Sequence, residues 1–413
     1  MTDSSPAGGS PILLAFSGGL DTSFCVPWLK ETYGRPVITV TVDTGGIDTE
    51  AARVLEERAL ALGAEAHHLV PAKDAYFDKV LRFLLMGNAR RGHLYPFCVG
   101  AERVLQAQVV AEMARRLGST SVAHGCTAAG NDQVRFEVAI RTLAPGLEIL
   151  APVRDRAFKR PEQLAFLEER QLPIPPYGAA YSVNRGLWGV TIGGQETLTS
   201  DGSIPEHAWV LSRDAFANPR TPERHVVGFT RGVPSSLDGA PLAPVALIER
   251  LEALAAPFGI GRGIHLGDTV IGTKGRVAFE APAADVLLTA HRELEKLVQT
   301  PRQQRIKDLV SATYGDLVHE GQHLDPVCRD IEALLLSSQA RVTGEVRLLF
   351  RPGSLFVEGV GSPFSIMAAS KGVYGEAAGE WTPADALGYS KMLALTGMFH
   401  TRAGERAQGE AKG

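Results

Sequence analysis

The densest chemical signal in the sequence is Ser17-Gly18-Gly19-Leu20-Asp21-Thr22-Ser23, which follows the apolar run over 12–16. Two adjacent glycines let a main chain approach an anion closely and adopt backbone angles closed to other residues. Ser17, Thr22 and Ser23 add hydroxyl donors. A helix starting here would aim unpaired N–H groups and its positive dipole end at the same point. That is equipment for a phosphate or pyrophosphate; a bare strand–helix turn would not call for the hydroxyls. The loop holds no lysine, so it is not the GxxxxGK(S/T) loop that reaches β- and γ-phosphates. Asp21 suits either Mg²⁺ or a helix cap, and the residues leave both open.

A second constellation runs from His124 through Gly125, Thr127, Gly130, Asn131, Asp132 and Arg135 to Glu137. It follows another apolar run, which places its polar residues at the same sheet edge as the glycine loop. Thr127 and Asn131 offer mixed donors and acceptors. Asp132 is an anion suited to a substrate ammonium, and Arg135 a fork suited to a carboxylate or polarised carbonyl. An amino acid held beside a nucleotide would need this set. The plainer reading is a helix N-terminus, with Asn131 as cap and Asp132 beside the dipole.

These residues need a scaffold that brings strand ends together. Short apolar runs over 12–16, 37–42, 121–124 and 147–151 read as buried strands. Helices are expected over 22–33, 48–62 (with Asp48 as N-cap), 73–86, 101–117 and 160–170, and Leu105, Val109, Met113 and Leu117 should line one face. Strands alternating with helices imply an α/β doubly wound parallel sheet covered on both faces. The proline-rich stretch 172–177 breaks this pattern. Beyond it, glycine-rich strand-like pieces (187–194, 225–232, 268–280) mix with helices near 243–256, 283–298 and 325–338, suggesting an α+β part. A last helix over 383–399 is apolar at Leu387, Met392, Leu395 and Phe399. The expected organisation is a disordered tail over 1–10, a nucleotide-binding domain over 11–172, a substrate domain over 173–382 and a C-terminal helix with its tail over 383–413.

Composition narrows the partners. With 42 Lys+Arg against 46 Asp+Glu the net charge is −4, which argues against a basic nucleic-acid surface. No apolar run approaches the roughly 18 residues that would span a bilayer, and the N-terminus lacks the pattern of a secretion signal. Cys25, Cys98, Cys126 and Cys328 are scattered and form no CxxC pair, as expected of reduced thiols in the cytoplasm.

The glycine loop, AFSGGLDTS, resembles the pyrophosphate loop of the N-type ATP pyrophosphatases, which adenylate a substrate. Within that group, the Gly125–Glu137 segment resembles the GxTxxGNDQxRFE signature of argininosuccinate synthase. Tyr95, Arg103, Tyr181-Ser182 and Thr191 fall at corresponding places, and the likeness covers most of the chain. The resemblance implies that the ureido oxygen of citrulline attacks the α-phosphorus of ATP, and that aspartate then displaces AMP. It implies ATP contacts at Ala15, Phe16, Ser17, Gly18, Gly19, Leu20, Asp21, Thr22, Ser23, Val42 and Gly125. Aspartate would lie on Thr127, Asn131 and Asp132, and citrulline on Tyr95, Asn131, Arg135, Ser182 and Thr191. Catalysis would be positioning, by Asp21, Asn131 and Arg135, with no nucleophile and with Mg²⁺ beside ATP. It also implies a homotetramer joined through the last helix.

The chain departs from the family at one end of the acceptor site. Val99 and Gly100 stand where a Thr-Ser pair is usual, Gly267 replaces a glutamate, and Phe279 replaces a tyrosine. Losing a carboxylate opposite an ammonium costs about 2–5 kcal/mol unless it is replaced. Either Asp268 takes over, or the acceptor carries no free ammonium, as in an N-acylated citrulline or another ureido compound. Two further readings are a different adenylating amidotransferase or tRNA thiolase, and a nucleotide-binding regulator without chemistry.

Overall fold

The computed structural model describes residues 9–176, 181–370 and 380–410. Residues 1–8 of the expected N-terminal tail, Tyr177 of the proline-rich break and residues 411–413 lie outside it.

The first part of the chain comprises β1 (Ile12–Ala15), α1 (Leu20–Tyr33), β2 (Val37–Asp43), α2 (Thr49–Ala61) and β3 (Ala66–Pro71). It continues through α3 (Lys73–Tyr76), α4 (Arg82–Gly87), α5 (Arg103–Arg116), β4 (Ser121–His124), α6 (Asn131–Leu143), β5 (Glu148–Leu150), α7 (Pro152–Asp155) and α8 (Arg160–Glu169). The strands form one parallel sheet in the order β3-β2-β1-β4-β5, the doubly wound architecture expected. Ile12, Leu13 and Leu14 at its centre are fully buried, as two-sided burial requires.

The structure departs from the sequence reading in several places. The helix expected over 73–86 is interrupted by a π-helical turn at Phe77–Leu81, between α3 and α4. Leu117, just past the end of α5, is 37% exposed; the buried face of the helix runs instead through Val104, Ala107, Val110, Ala111 and Ala114, with Leu105 and Met113. Gly130 caps α6, so Asn131 is its first helical residue and not its cap.

The chain continues with β6 (Ser182–Gly186), β7 (Gly189–Gly193), β8 (Glu223–Thr230), β9 (Val233–Leu237), β10 (Ala240–Pro241) and α9 (Pro244–Ala255). Then follow β11 (Arg262–Asp268), β12 (Lys274–Glu280), α10 (Pro282–Val298), α11 (Pro301–His319), α12 (Pro326–Ser338), β13 (Gly344–Arg351) and β14 (Ser354–Gly361). Two antiparallel sheets result, β11-β12-β7-β6 and β10-β9-β8-β13-β14. One apolar core runs without a break from Leu13 and Val40 through Trp188 to Leu287 and Phe350.

By internal contacts the chain falls into two compact units, Met1–Pro363 and Phe364–Gly413. The second holds α13 (Ile366–Ala369) and α14 (Pro383–Glu410), a helix that runs well past residue 399.

Candidate active site

The glycine loop leaves the carboxyl end of β1, pinned on both sides by β2. The Phe16 amide donates to the Val40 carbonyl at 2.9 Å, and the Thr41 hydroxyl donates to the Phe16 carbonyl at 2.7 Å. Gly18 sits at φ 72, and a Cβ there would come 2.3 Å from Leu55 Cδ2, so this position requires glycine. From α2, the Arg58 guanidinium donates to the Gly18 carbonyl at 2.7 Å. Gly19 caps α1 without a side-chain bond, leaving the helix's first amides free for an anion. Ser17 and Thr22 hydroxyls lie 3.2 Å apart, and Gln163 donates to Asp21 Oδ1 at 2.9 Å. Gly125 closes the loop from β4, where a Cβ would stand 2.9 Å from Thr22 Cγ2.

This loop walls a cavity of about 760 Å³. Of the nucleotide-contact residues expected, Ala15, Phe16, Ser17, Gly19, Leu20, Asp21, Thr22, Val42 and Gly125 line it. Gly18 and Ser23 do not, and Ser23 is fully buried. Asp132 and Ser182 share the same cavity. Tyr95, Thr127, Asn131, Arg135 and Thr191 lie off its wall.

Of these, Arg135 is tied to the wall directly, through Asp132. Asp132 sits between two guanidiniums: Arg103 Nε donates to Oδ2 at 3.0 Å and Arg135 Nη1 to Oδ1 at 2.8 Å. Burial opposes ionisation of Asp132, but the two arginines outweigh it and hold the carboxyl down at about 2. Arg135 is further anchored by the His319 carbonyl at 2.7 Å. A Cβ on Gly100 would come 3.1 Å from that guanidinium, so Gly100 leaves it room to pack. The Asn131 side chain accepts from the Val270 amide at 2.9 Å, fastening α6 to the turn between β11 and β12. Tyr95 is buried, stacked on His265 (centroids 5.5 Å, 17° between planes) and edge-on to Phe279 at 5.3 Å. Thr191 pairs with Phe279 across β7 and β12. Thr127 is exposed on the loop before α6.

At the divergent positions, a Cβ on Gly267 would meet His265 Nε2 at 2.4 Å. The imidazole fills the space beside that backbone. Asp268 pairs with Lys274 at 2.5 Å.

Sequence reasoning missed part of the wall. Thr44, Gly45 and Gly46 follow β2 and border the cavity, as do Arg58, Glu102, Gln106, Asn184 and Arg185. A Cβ on Gly45 would stand 2.2 Å from the Leu187 amide nitrogen. A second strand followed by Gly-Gly was a readable signal for this loop. Arg58 and Glu102 carried none, being single charged residues within helical patterns. Among the described residues no group of three or more His, Cys, Asp or Glu could hold a metal ion.

A doubly wound sheet with a glycine-loop anion cradle at its carboxyl edge defines the class: an α/β nucleotide-binding fold with a larger α+β continuation. Residues 11–173 match the arginosuccinate synthase N-terminal HUP domain, and residues 181–400 match the arginosuccinate synthase C-terminal domain. The argininosuccinate synthase of Xylella fastidiosa is 39% identical over 398 residues, spanning 94% of this chain and 96% of its own. That of Xanthomonas axonopodis pv. citri is 38% identical over 405 residues, 96% of each chain. The Methanocaldococcus jannaschii argininosuccinate synthase is 38% identical over 355 residues, 86% of this chain and 89% of its own. The chain belongs to the argininosuccinate synthase family.

Proposed function

We propose that this protein is an ATP-dependent ligase that joins citrulline to aspartate through a citrullyl-adenylate, releasing AMP and pyrophosphate. The observation that carries this is one cavity bordered by both the glycine loop and Asp132. An anion cradle and an ammonium acceptor on one wall suit a nucleotide beside an amino acid. In this reading Ala15 to Thr22, Val42 and Gly125 hold ATP. Thr127, Asn131 and Asp132 take aspartate; Tyr95, Asn131, Arg135, Ser182 and Thr191 take citrulline. Asp21 is the carboxylate of the loop that would stand beside a Mg²⁺ brought in on the ATP phosphates, which would supply charge neutralisation there. The protein's part is to align the ureido oxygen with the α-phosphorus, then the aspartate amine with the activated carbon. Residues 11–172 do the nucleotide work and 173–382 complete the acceptor site.

The test is AMP and pyrophosphate formation from MgATP with citrulline and aspartate added singly and together. Release that needs both supports the reading; release with neither, or none with both, defeats it. A thiol-transfer reading is disfavoured because burial raises the Cys25 thiol well above its usual range and pushes Cys126 up to about 12, leaving both un-ionised.

One observation supports the second acceptor reading, an N-acylated citrulline. Around Tyr95 and His265 the carboxylates of Asp268 and Asp316 are each ion-paired within the chain. Comparing kcat/KM for citrulline and N-acetylcitrulline decides it, and strong preference for free citrulline removes the idea. No described helix is long and apolar enough to cross a membrane; we place the enzyme in the cytoplasm as a homotetramer joined through α14. A chain ending before Pro383 should sediment as a particle of fewer subunits; an unchanged number of subunits would remove α14 from the interface.

A further inference from the structure

Glu102 borders the cavity, is 2% exposed, and has no role in the reaction as outlined. Its two oxygens are separately engaged. Oε1 accepts from Arg103 Nη1 at 2.8 Å, and Oε2 accepts from the Thr44 hydroxyl at 2.7 Å. Gln106 donates to that same hydroxyl at 3.1 Å and to nothing anionic, while its own oxygen accepts from Arg103 at 2.9 Å. From β6, a Cβ on Gly186 would come 2.5 Å from Glu102 Oε2, so that strand packs directly onto the carboxylate. Arg103 is thus shared between two acids: Nη1 on Glu102, Nε on Asp132.

We propose that Glu102 is a positioning residue for the amine-bearing substrate, acting through Arg103 on Asp132. Arg103 and an incoming ammonium compete for the same carboxylate. While Glu102 is ionised, it draws part of the guanidinium's charge away and leaves Asp132 able to accept the ammonium. When Glu102 is neutral, Arg103 has one anionic partner and the ammonium meets an already satisfied Asp132. The idea rests on the assignment of the aspartate amine to Asp132.

The electrostatic surroundings make this switchable near neutrality. Burial pushes the Glu102 carboxyl up to about 7, against the lowering effects of Arg103 and the Thr44 hydroxyl, with Asp132 and Asp43 adding to the rise. The titratable groups facing it are Arg103 on its own segment, Asp43 at the end of β2, Asp132 on α6, and Tyr76 and Cys98 from the packing behind. Both of the last two are themselves raised by burial and stay neutral in this range.

The experiment measures KM for aspartate, citrulline and ATP, with kcat, between pH 6 and 8.5. In the unaltered enzyme the aspartate KM should fall as pH rises through about 7. Glu102→Gln should raise that KM about tenfold at pH 8, the scale of one charge-assisted hydrogen bond, and abolish its pH dependence. The citrulline and ATP KM values should move little. Thr44→Val should keep the pH dependence but shift its midpoint upward, because a donor to the ionised form is gone. The proposal fails if Glu102→Gln keeps the original aspartate KM and pH course, or raises all three KM values alike. Asp132→Asn separates the layers: if it leaves the aspartate KM unchanged, the underlying assignment is what falls.

Discussion

Arg58 holds the glycine loop by its backbone, donating to the Gly18 carbonyl at 2.7 Å from a different helix. Removing one partner of a charge-assisted bond at a half-buried site costs about 1–2 kcal/mol. Arg58→Ala should therefore lower kcat/KM for ATP by about 5–30-fold while the citrulline KM stays put. An unchanged ATP KM would mean the loop keeps its shape without the contact. Gly125→Ala probes the opposite wall. Its new methyl would press on Thr22 Cγ2 at 2.9 Å and Asp21 at 3.1 Å. Over-packing of about 1–3 kcal/mol should appear as roughly tenfold weaker ATP use, with the melting temperature within a few degrees of the original. A variant with normal ATP kinetics would show that the loop yields without cost.

At the scale of elements, α10 and α11 are joined to the end of α4 and the residue that follows it by charges that water does not reach. Lys307 Nζ lies 2.8 Å from Glu295 Oε2 with both side chains fully buried, and it also donates to the Met86 carbonyl at 3.0 Å. Asn88 and Gln339 donate to the same carboxylate. Lys307→Met strands that carboxylate and should cost about 3–5 kcal/mol in urea unfolding, with Glu295→Gln in the same chain recovering part of it. Equal midpoints for the single and double variants would contradict this. The same cluster explains what the sequence hid. Helix α11 buries Lys307, Ser311, Tyr314 and Gly315, so no apolar stripe announces it. Strand β3, Ala66–Pro71, holds two histidines and occupies the sheet edge, so it lacks the apolar run that betrayed β1, β2, β4 and β5. The glycine loop and the α6 signature were legible because each is contiguous. The Arg103–Asp132 link joins residues 29 apart in sequence, and only the packing of α5 against α6 reveals it.

For the whole molecule, burial sets the response to acid. Burial, with help from Arg154, lowers His124 to about 4, and burial with Arg135 lowers His319 to about 3. Their unfolded counterparts titrate near 6.5. As pH falls below about 6.5 the unfolded chain takes up protons that the folded chain refuses, so stability is lost progressively down to 4 and below. Asp132 extends the loss: its contribution is present above about 3.8 and disappears as pH falls through about 2. The two histidines outweigh Glu102, whose raised carboxyl gains stability over the same range, so melting temperature should drop from pH 6.5 to 4, and His319→Gln should flatten that limb; a melting temperature level across the range would refute the assignment. A different consequence follows from the unbroken core that runs from Leu13 to Phe350. Trp188 donates to the Pro96 carbonyl at 3.0 Å in the interior, and the Leu187 amide donates to the Thr44 carbonyl at 3.0 Å. Segments on either side of the proline-rich stretch therefore complete one another as a lock and its barrel. Expressed as two polypeptides divided after Pro176, each should be insoluble by itself. Co-expressed, they should reassemble into a working enzyme without a peptide bond between them, which makes this junction a natural place to split the catalyst into two controllable pieces.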